Sequence, residues 1–126
     1  MKYIFTTAVL LTILSSFNLK IGIDDVISAV KSGNASQVAK FFDNNVEISM
    51  PDKSNSYSKS QAELVLKDFF ATNPVKSFEI IHKGENAGSQ YCIGTLQTKN
   101  GAYRTTIFMK QKADIQVLQE LRFENR

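Results

Sequence analysis

The stretch from Val75 to Glu124 decides the fold: VKSFEIIHK (75–83), QYCIGTLQT (90–98), AYRTTIFMKQ (102–111) and IQVLQELRFE (115–124) follow one another as four β-type runs. Apolar residues recurring every second position place one face of each run in a core and the other in water. The runs are separated by Gly84-Glu85-Asn86-Ala87-Gly88, by Lys99-Asn100-Gly101 and by Lys112-Ala113-Asp114, all of turn composition. Connections this short join antiparallel neighbours, so the C-terminal half reads as a four-stranded meander.

The pattern upstream is helical. Ser60-Gln61-Ala62-Glu63 has the spacing of a capping box, and Ala62, Val65, Leu66, Phe69 and Phe70 fall on one side of the helix that follows, which ends before Asn73-Pro74. Before it, Val46-Glu47-Ile48-Ser49-Met50 alternates as a strand, Pro51 to Asn55 is a turn cluster, and Ser56-Tyr57-Ser58 is a short return strand. Two short helices precede these. Val26, Ile27 and Val30 lie on one face behind an Asp24 cap with Gly33 as the stop, and Asn34-Ala35-Ser36-Gln37 restarts the chain so that Val38, Phe41 and Phe42 form a buried stripe ending near Asp43-Asn44-Asn45. The expected order is α-α-β-β-α-β-β-β-β.

At the N-terminus, Lys2 is followed by the apolar run Ile4 to Leu14, closed by Ser15, Ser16 and Asn18. A basic start, a short apolar stretch and small residues after it have the form of a secretory signal peptide, expected to occupy residues 1–18, with a single domain over 19–126. The apolar run falls short of the roughly 20 residues that a membrane-spanning helix requires, so no stable membrane anchor is expected, and no cysteine follows it to carry lipid. The mature protein is therefore expected to be exported, to the periplasm or the extracellular space.

The whole chain has 15 Lys and Arg against 12 Asp and Glu, and without Lys2 the balance is 14 against 12. The positive residues are scattered and form no stripe, which excludes a nucleic-acid groove. Cys92 is the only cysteine, so no intramolecular disulfide forms, and it sits inside an apolar strand where it reads as a small buried hydrophobe. One histidine excludes a multi-histidine metal site, and no phosphate-binding loop, dinucleotide fingerprint, nucleophile elbow or CxxC pair is present. No cofactor or metal is expected.

The order of elements, with the stripe Val65, Leu66, Phe69, Phe70 running into four consecutive strands, resembles the nuclear transport factor 2-like (cystatin-like) superfamily. The opening Ile23 to Asn34, running into Phe41 to Ile48, resembles a family of exported Bacteroidetes proteins of unknown function. The superfamily resemblance implies an α+β cone, a curved antiparallel sheet wrapped around about three helices, with a pocket between helices and concave face. Relatives use that pocket either for binding or for catalysis, and the fold alone does not choose.

Candidate pocket residues follow from that implication. His82 shares a period-two face with Phe78 and Ile80, which turns it inward, although its place at a strand end beside Lys83 and Gly84 also suits a solvated edge residue. Tyr57, Tyr91 and Tyr103 can bury a ring and offer a hydroxyl, and Phe69 on the main helix supplies apolar lining. These five residues are the expected ligand-binding set. Asp68 lies off the helical core stripe, and Glu79, Glu120 and Arg122 lie on alternating faces that suit surface ion pairs, so no paired catalytic carboxylates are expected.

The leading expectation is an exported, non-catalytic binding or protein-interaction domain. It either holds a small apolar ligand or forms a homodimer through the outer sheet face, where Thr106, Phe108, Leu118 or their opposite-face partners meet a second subunit. The alternative is a small proton-transfer enzyme of isomerase or dehydratase type, with His82 or a tyrosine as acid or base in an apolar pocket.

Overall fold

The computed structural model describes residues 22–126, so the signal peptide expected over 1–18 lies outside the described residues. The elements are α1 (Ile23–Lys31), α2 (Ala35–Ala39), β1 (Phe42–Met50), β2 (Lys53–Ser58), α3 (Lys59–Thr72), β3 (Val75–Asn86), β4 (Ser89–Thr98), β5 (Gly101–Lys112) and β6 (Ile115–Asn125). This is the expected α+β order. The six strands form one curved sheet in the order β2-β1-β6-β5-β4-β3. Every neighbouring pair is antiparallel except β1 with β6, which run parallel. The two edges are therefore β2 and β3.

Each helix starts where a backbone donor finds an acceptor. In α1 the cap is Gly22, two residues earlier than the expected Asp24, because the Asp25 carboxylate accepts the Gly22 N–H at 3.1 Å and the Gln90 side chain accepts the Ile23 N–H at 2.8 Å. Gly33 adopts φ +66 after α1, a left-handed conformation that only glycine takes at low cost. Asn34 then caps α2 by accepting the Gln37 N–H at 3.1 Å. The capping box of α3 is Ser58 with Gln61, not Ser60 with Glu63, each side chain meeting the other residue's backbone N–H at 3.4 Å.

The largest departure from expectation is the end of α2. It stops at Ala39, and β1 begins at Phe42, so Asp43 to Asn45 belong to a strand. The competing partner is distant in sequence: the Leu118 N–H donates to the Phe41 carbonyl at 2.6 Å, and Phe42 pairs with Leu118. Asp43 is anchored as well, accepting from its neighbour Asn44 N–H at 2.7 Å, from Lys112 Nζ at 2.9 Å and from Gln119 Nε2 at 3.2 Å.

The core lies between the helices and one face of the sheet. Val26, Val30, Val38, Leu66, Leu96, Ile107, Met109, Leu118, Leu121 and Phe123 are all fully enclosed. At roughly 1.5–3 kcal/mol for each large aliphatic or aromatic side chain, this layer is the main source of stability in a domain without a disulfide.

Candidate functional site

A ligand was first expected in the interior, and at the end of α3 that interior is occupied by packed aromatic rings. Phe69 is 8% exposed, with its ring stacked on Phe123 at 4.3 Å between centroids and meeting Tyr103 edge-on at 5.3 Å. The Tyr103 hydroxyl donates at 3.0 Å to the amide oxygen of buried Asn73, whose own Nδ2 donates to the Phe69 carbonyl at 3.1 Å. Phe69 and Tyr103 thus tie the end of α3 to β5 and β6, with the tyrosine hydroxyl committed to a structural partner.

Tyr57 lies elsewhere. It is half-buried against the core, and with Asn55, Ser56, Gln61, Leu64 and Val65 it lines an open depression of about 470 Å³ between β2 and α3. A wider depression of about 1060 Å³ separates the start of α1 from the β3–β4 and β5–β6 hairpins, and none of the five nominated residues lines it.

His82 and Tyr91 are brought together, on the opposite face of the sheet from the core. The cause is a bulge in β3. Phe78 pairs with Leu96 and Ile80 with Gly94, but His82 pairs with Ile93, which leaves Ile81 as an extra residue and shifts the alternation by one. Phe78 therefore points inward while His82 turns outward, correcting the expectation that the two share a face. His82 Nε2 lies 2.7 Å from the Tyr91 hydroxyl, with ring centroids 5.4 Å apart. Gly84 makes room for this pair: a Cβ there would lie 2.8 Å from the Tyr91 oxygen.

Around the pair, the outer face carries its own apolar group. Tyr91 sits opposite Phe108, Ile93 opposite Thr106, and Val117 opposite Lys110, so Tyr91, Ile93, Phe108 and Val117 span three adjacent strands. None of the four packs into the main core, yet Val117 is only 8% exposed and the other three are half-buried. Polar residues rim them: Arg122 donates to Glu120 at 2.8 Å, and Arg126 bonds the Thr95 hydroxyl. Leu118, expected on this surface with Thr106 and Phe108, is fully buried. A second register shift between Phe108 and Met109 sets Leu118 opposite Met109 on the core side. Ile93 and Val117 were not anticipated here, although the alternation of Tyr91 and Ile93 with Cys92 signalled that they would share a face.

Cys92 points inward, has no exposed surface, and its thiol is pushed up to about 11 chiefly by burial. Lys83, its cross-strand neighbour, reaches Asp24 on α1 at 2.6 Å, and that bond raises the ammonium above its ordinary value. Among the described residues no three His, Cys, Asp or Glu side chains gather as a metal-ligand set, and no helix is long and apolar enough to cross a membrane.

A family model described as a domain of unknown function (DUF4783) matches residues 23–124. A solved DUF4783 family protein from Bacteroides uniformis is 30% identical, with 82% of this chain and 95% of that chain covered and a TM-score of 0.79. One from Bacteroides ovatus is 28% identical, with 86% and 98% covered and a TM-score of 0.80. A designed NTF2 protein, 12% identical, aligns over 80% of this chain and 91% of its own with a TM-score of 0.60, a likeness of fold alone. No functionally curated protein matches the chain.

Proposed function

The chain belongs to the DUF4783 family, a domain of unknown function on a nuclear transport factor 2-like fold, and from that premise we propose that it is an exported, non-catalytic interaction domain that forms a homodimer through the outer face of its sheet. The observation that carries this reading is the group Tyr91, Ile93, Phe108 and Val117, apolar and aromatic residues on the sheet face turned away from the helices. A sheet packed on one side only normally alternates apolar-in with polar-out. Three contiguous strands break that rule here.

Such a patch suits an isologous contact, with an apolar centre and a charged rim supplied by Glu120 and Arg122. A stable dimer of ordinary size covers about 800 Å² per partner, so the contact extends beyond the four central residues onto this rim. Aromatic residues at the centre, Tyr91 and Phe108, are the type that carries most of the binding energy in such contacts.

The geometry favours binding over proton transfer. Catalysis at a carbonyl by His82 needs a water-excluding wall and a group that orients the imidazole. His82 is exposed on an open sheet face, and its recorded partner is a tyrosine hydroxyl. The depression beside Tyr57 supports a second binding reading, a small apolar ligand laid against Leu64 and Val65, because Leu64 is 66% exposed.

Sedimentation velocity on residues 19–126 tests the dimer. At micromolar concentration the wild-type domain is expected at twice the protomer mass and Phe108→Glu at the protomer mass, with unchanged circular dichroism. A monomeric wild type, or a dimer indifferent to Phe108→Glu, would sink the reading.

A further inference from the structure

The strand β3 is a sheet edge of 12 residues, and unlike the short polar edge β2 it leaves two adjacent isoleucines in water, Ile80 at 45% and Ile81 at 54% exposure. Long edges with apolar side chains are templates for a further strand. We propose that β3 pairs antiparallel with β3 of a second copy, about a two-fold axis passing between Ile80 and Ile81, so that two sheets join edge to edge.

Two observations select a second copy as the occupant. The charge pattern of β3 is complementary to its own reverse: about that axis Lys76 meets Glu85 of the partner subunit, Glu79 meets His82 of the partner subunit, and Ile80 meets Ile81 of the partner subunit. Each contact occurs twice by symmetry, and no like charges oppose. The second observation is the bulge. In an unbroken strand, an axis between successive residues would oppose side chains from different faces, which pleating forbids. The extra residue at Ile81 removes this conflict, since Glu79 pairs with Thr95 and His82 with Ile93, both on the outer face. This bend lies on the axis, so the two copies carry it at the same place; the other irregularity of β3, between Val75 and Ser77, lies at the outer end of the contact beside Lys76.

This contact uses residues separate from Tyr91, Ile93, Phe108 and Val117, and it goes beyond the outer-face dimer. With charged pairs exposed at its rim it is the weaker of the two, so it adds a second step, in which outer-face dimers join through their free β3 edges at higher protein concentration. Sedimentation equilibrium over a concentration series tests it. Lys76→Glu is expected to weaken the second step about tenfold by opposing like charges twice, and Lys76→Glu with Glu85→Lys to restore it. Raised salt is expected to weaken the wild-type step. Absence of any association step that depends on β3, indifference to Lys76→Glu, or failure of the double reversal to restore association would overturn the proposal. Phe108→Glu acts on the first step alone: if the outer face does not dimerise, edge pairing still shows as a monomer-to-dimer step with the same charge dependence.

Discussion

Gly94 is expected to tolerate no side chain, although its backbone angles are ordinary. It lies in β4 opposite Ile80, directly under the bend in β3. A Cβ built there would meet Phe78 Cζ at 2.6 Å, the Glu79 carbonyl oxygen at 2.7 Å and Phe78 Cε1 at 2.7 Å. The Phe78 ring is 6% exposed and has little free space to enter, and the carbonyl is backbone held by the β3–β4 ladder. Gly94→Ala must therefore displace the bulge or the ring. Overpacking of this kind costs about 1–3 kcal/mol, against which the reduced entropy of the unfolded chain returns about 0.4–1 kcal/mol. At the middle of each range the net loss is about 1.3 kcal/mol, which corresponds to a Tm lowered by roughly 5–10 °C in a domain of this size. Thermal and urea unfolding followed by circular dichroism measure it. Adding Phe78→Leu to Gly94→Ala removes the ring clash but not the carbonyl clash, so the double variant is expected to remain less stable than Phe78→Leu alone. A Tm for Gly94→Ala equal to or above that of the wild type would refute the close approach.

Other consequences of the structure are measurable in the same way. Tyr103→Phe deletes the donor to Asn73 in the packed interior and is expected to cost about 1 kcal/mol in urea unfolding, leaving self-association intact. Cys92, buried and with its thiol raised to about 11, is expected to resist iodoacetamide at pH 8 in the native protein and to react fully once unfolded. Asp43 is held below the usual carboxylate range chiefly by its bond to Lys112; its contribution to stability is in place above the unfolded pKa and is lost as pH falls through the depressed folded value. The Tm difference between wild type and Asp43→Asn is therefore expected at neutral pH and to shrink in acid. Gly84→Ala is expected to displace Tyr91 and break its bond to His82, read as a change in the His82 ring signals by NMR.

The order of elements was legible because it rests on local pattern: four alternating runs with short turns, and a stripe at helical spacing before them. What stayed hidden was decided by partners remote in the chain. Asp43 to Asn45 have the composition of a helix end, but Leu118, Lys112 and Gln119 draw them into a strand. The parallel pairing of β1 with β6 likewise leaves no local signature. Period-two reasoning failed at two of the register shifts, those at Ile81 and at Gln119, each inserting one residue and reversing the faces beyond it. One turned His82 out of the interior and the other turned Leu118 into it. The expected pocket was a matter of volume, and the stacking of Phe69 on Phe123 could not be read from the spacing of aromatic residues.

The central claim, that the outer sheet face meets a second copy of the chain, is tested most directly by isotope-filtered NMR on an equimolar mixture of labelled and unlabelled domain. Nuclear Overhauser effects between protomers are expected from the Ile93 and Val117 methyl groups to the Tyr91 and Phe108 rings. Their absence at concentrations where the domain is dimeric, or inter-protomer effects confined to Leu64 on the helical side, would contradict it.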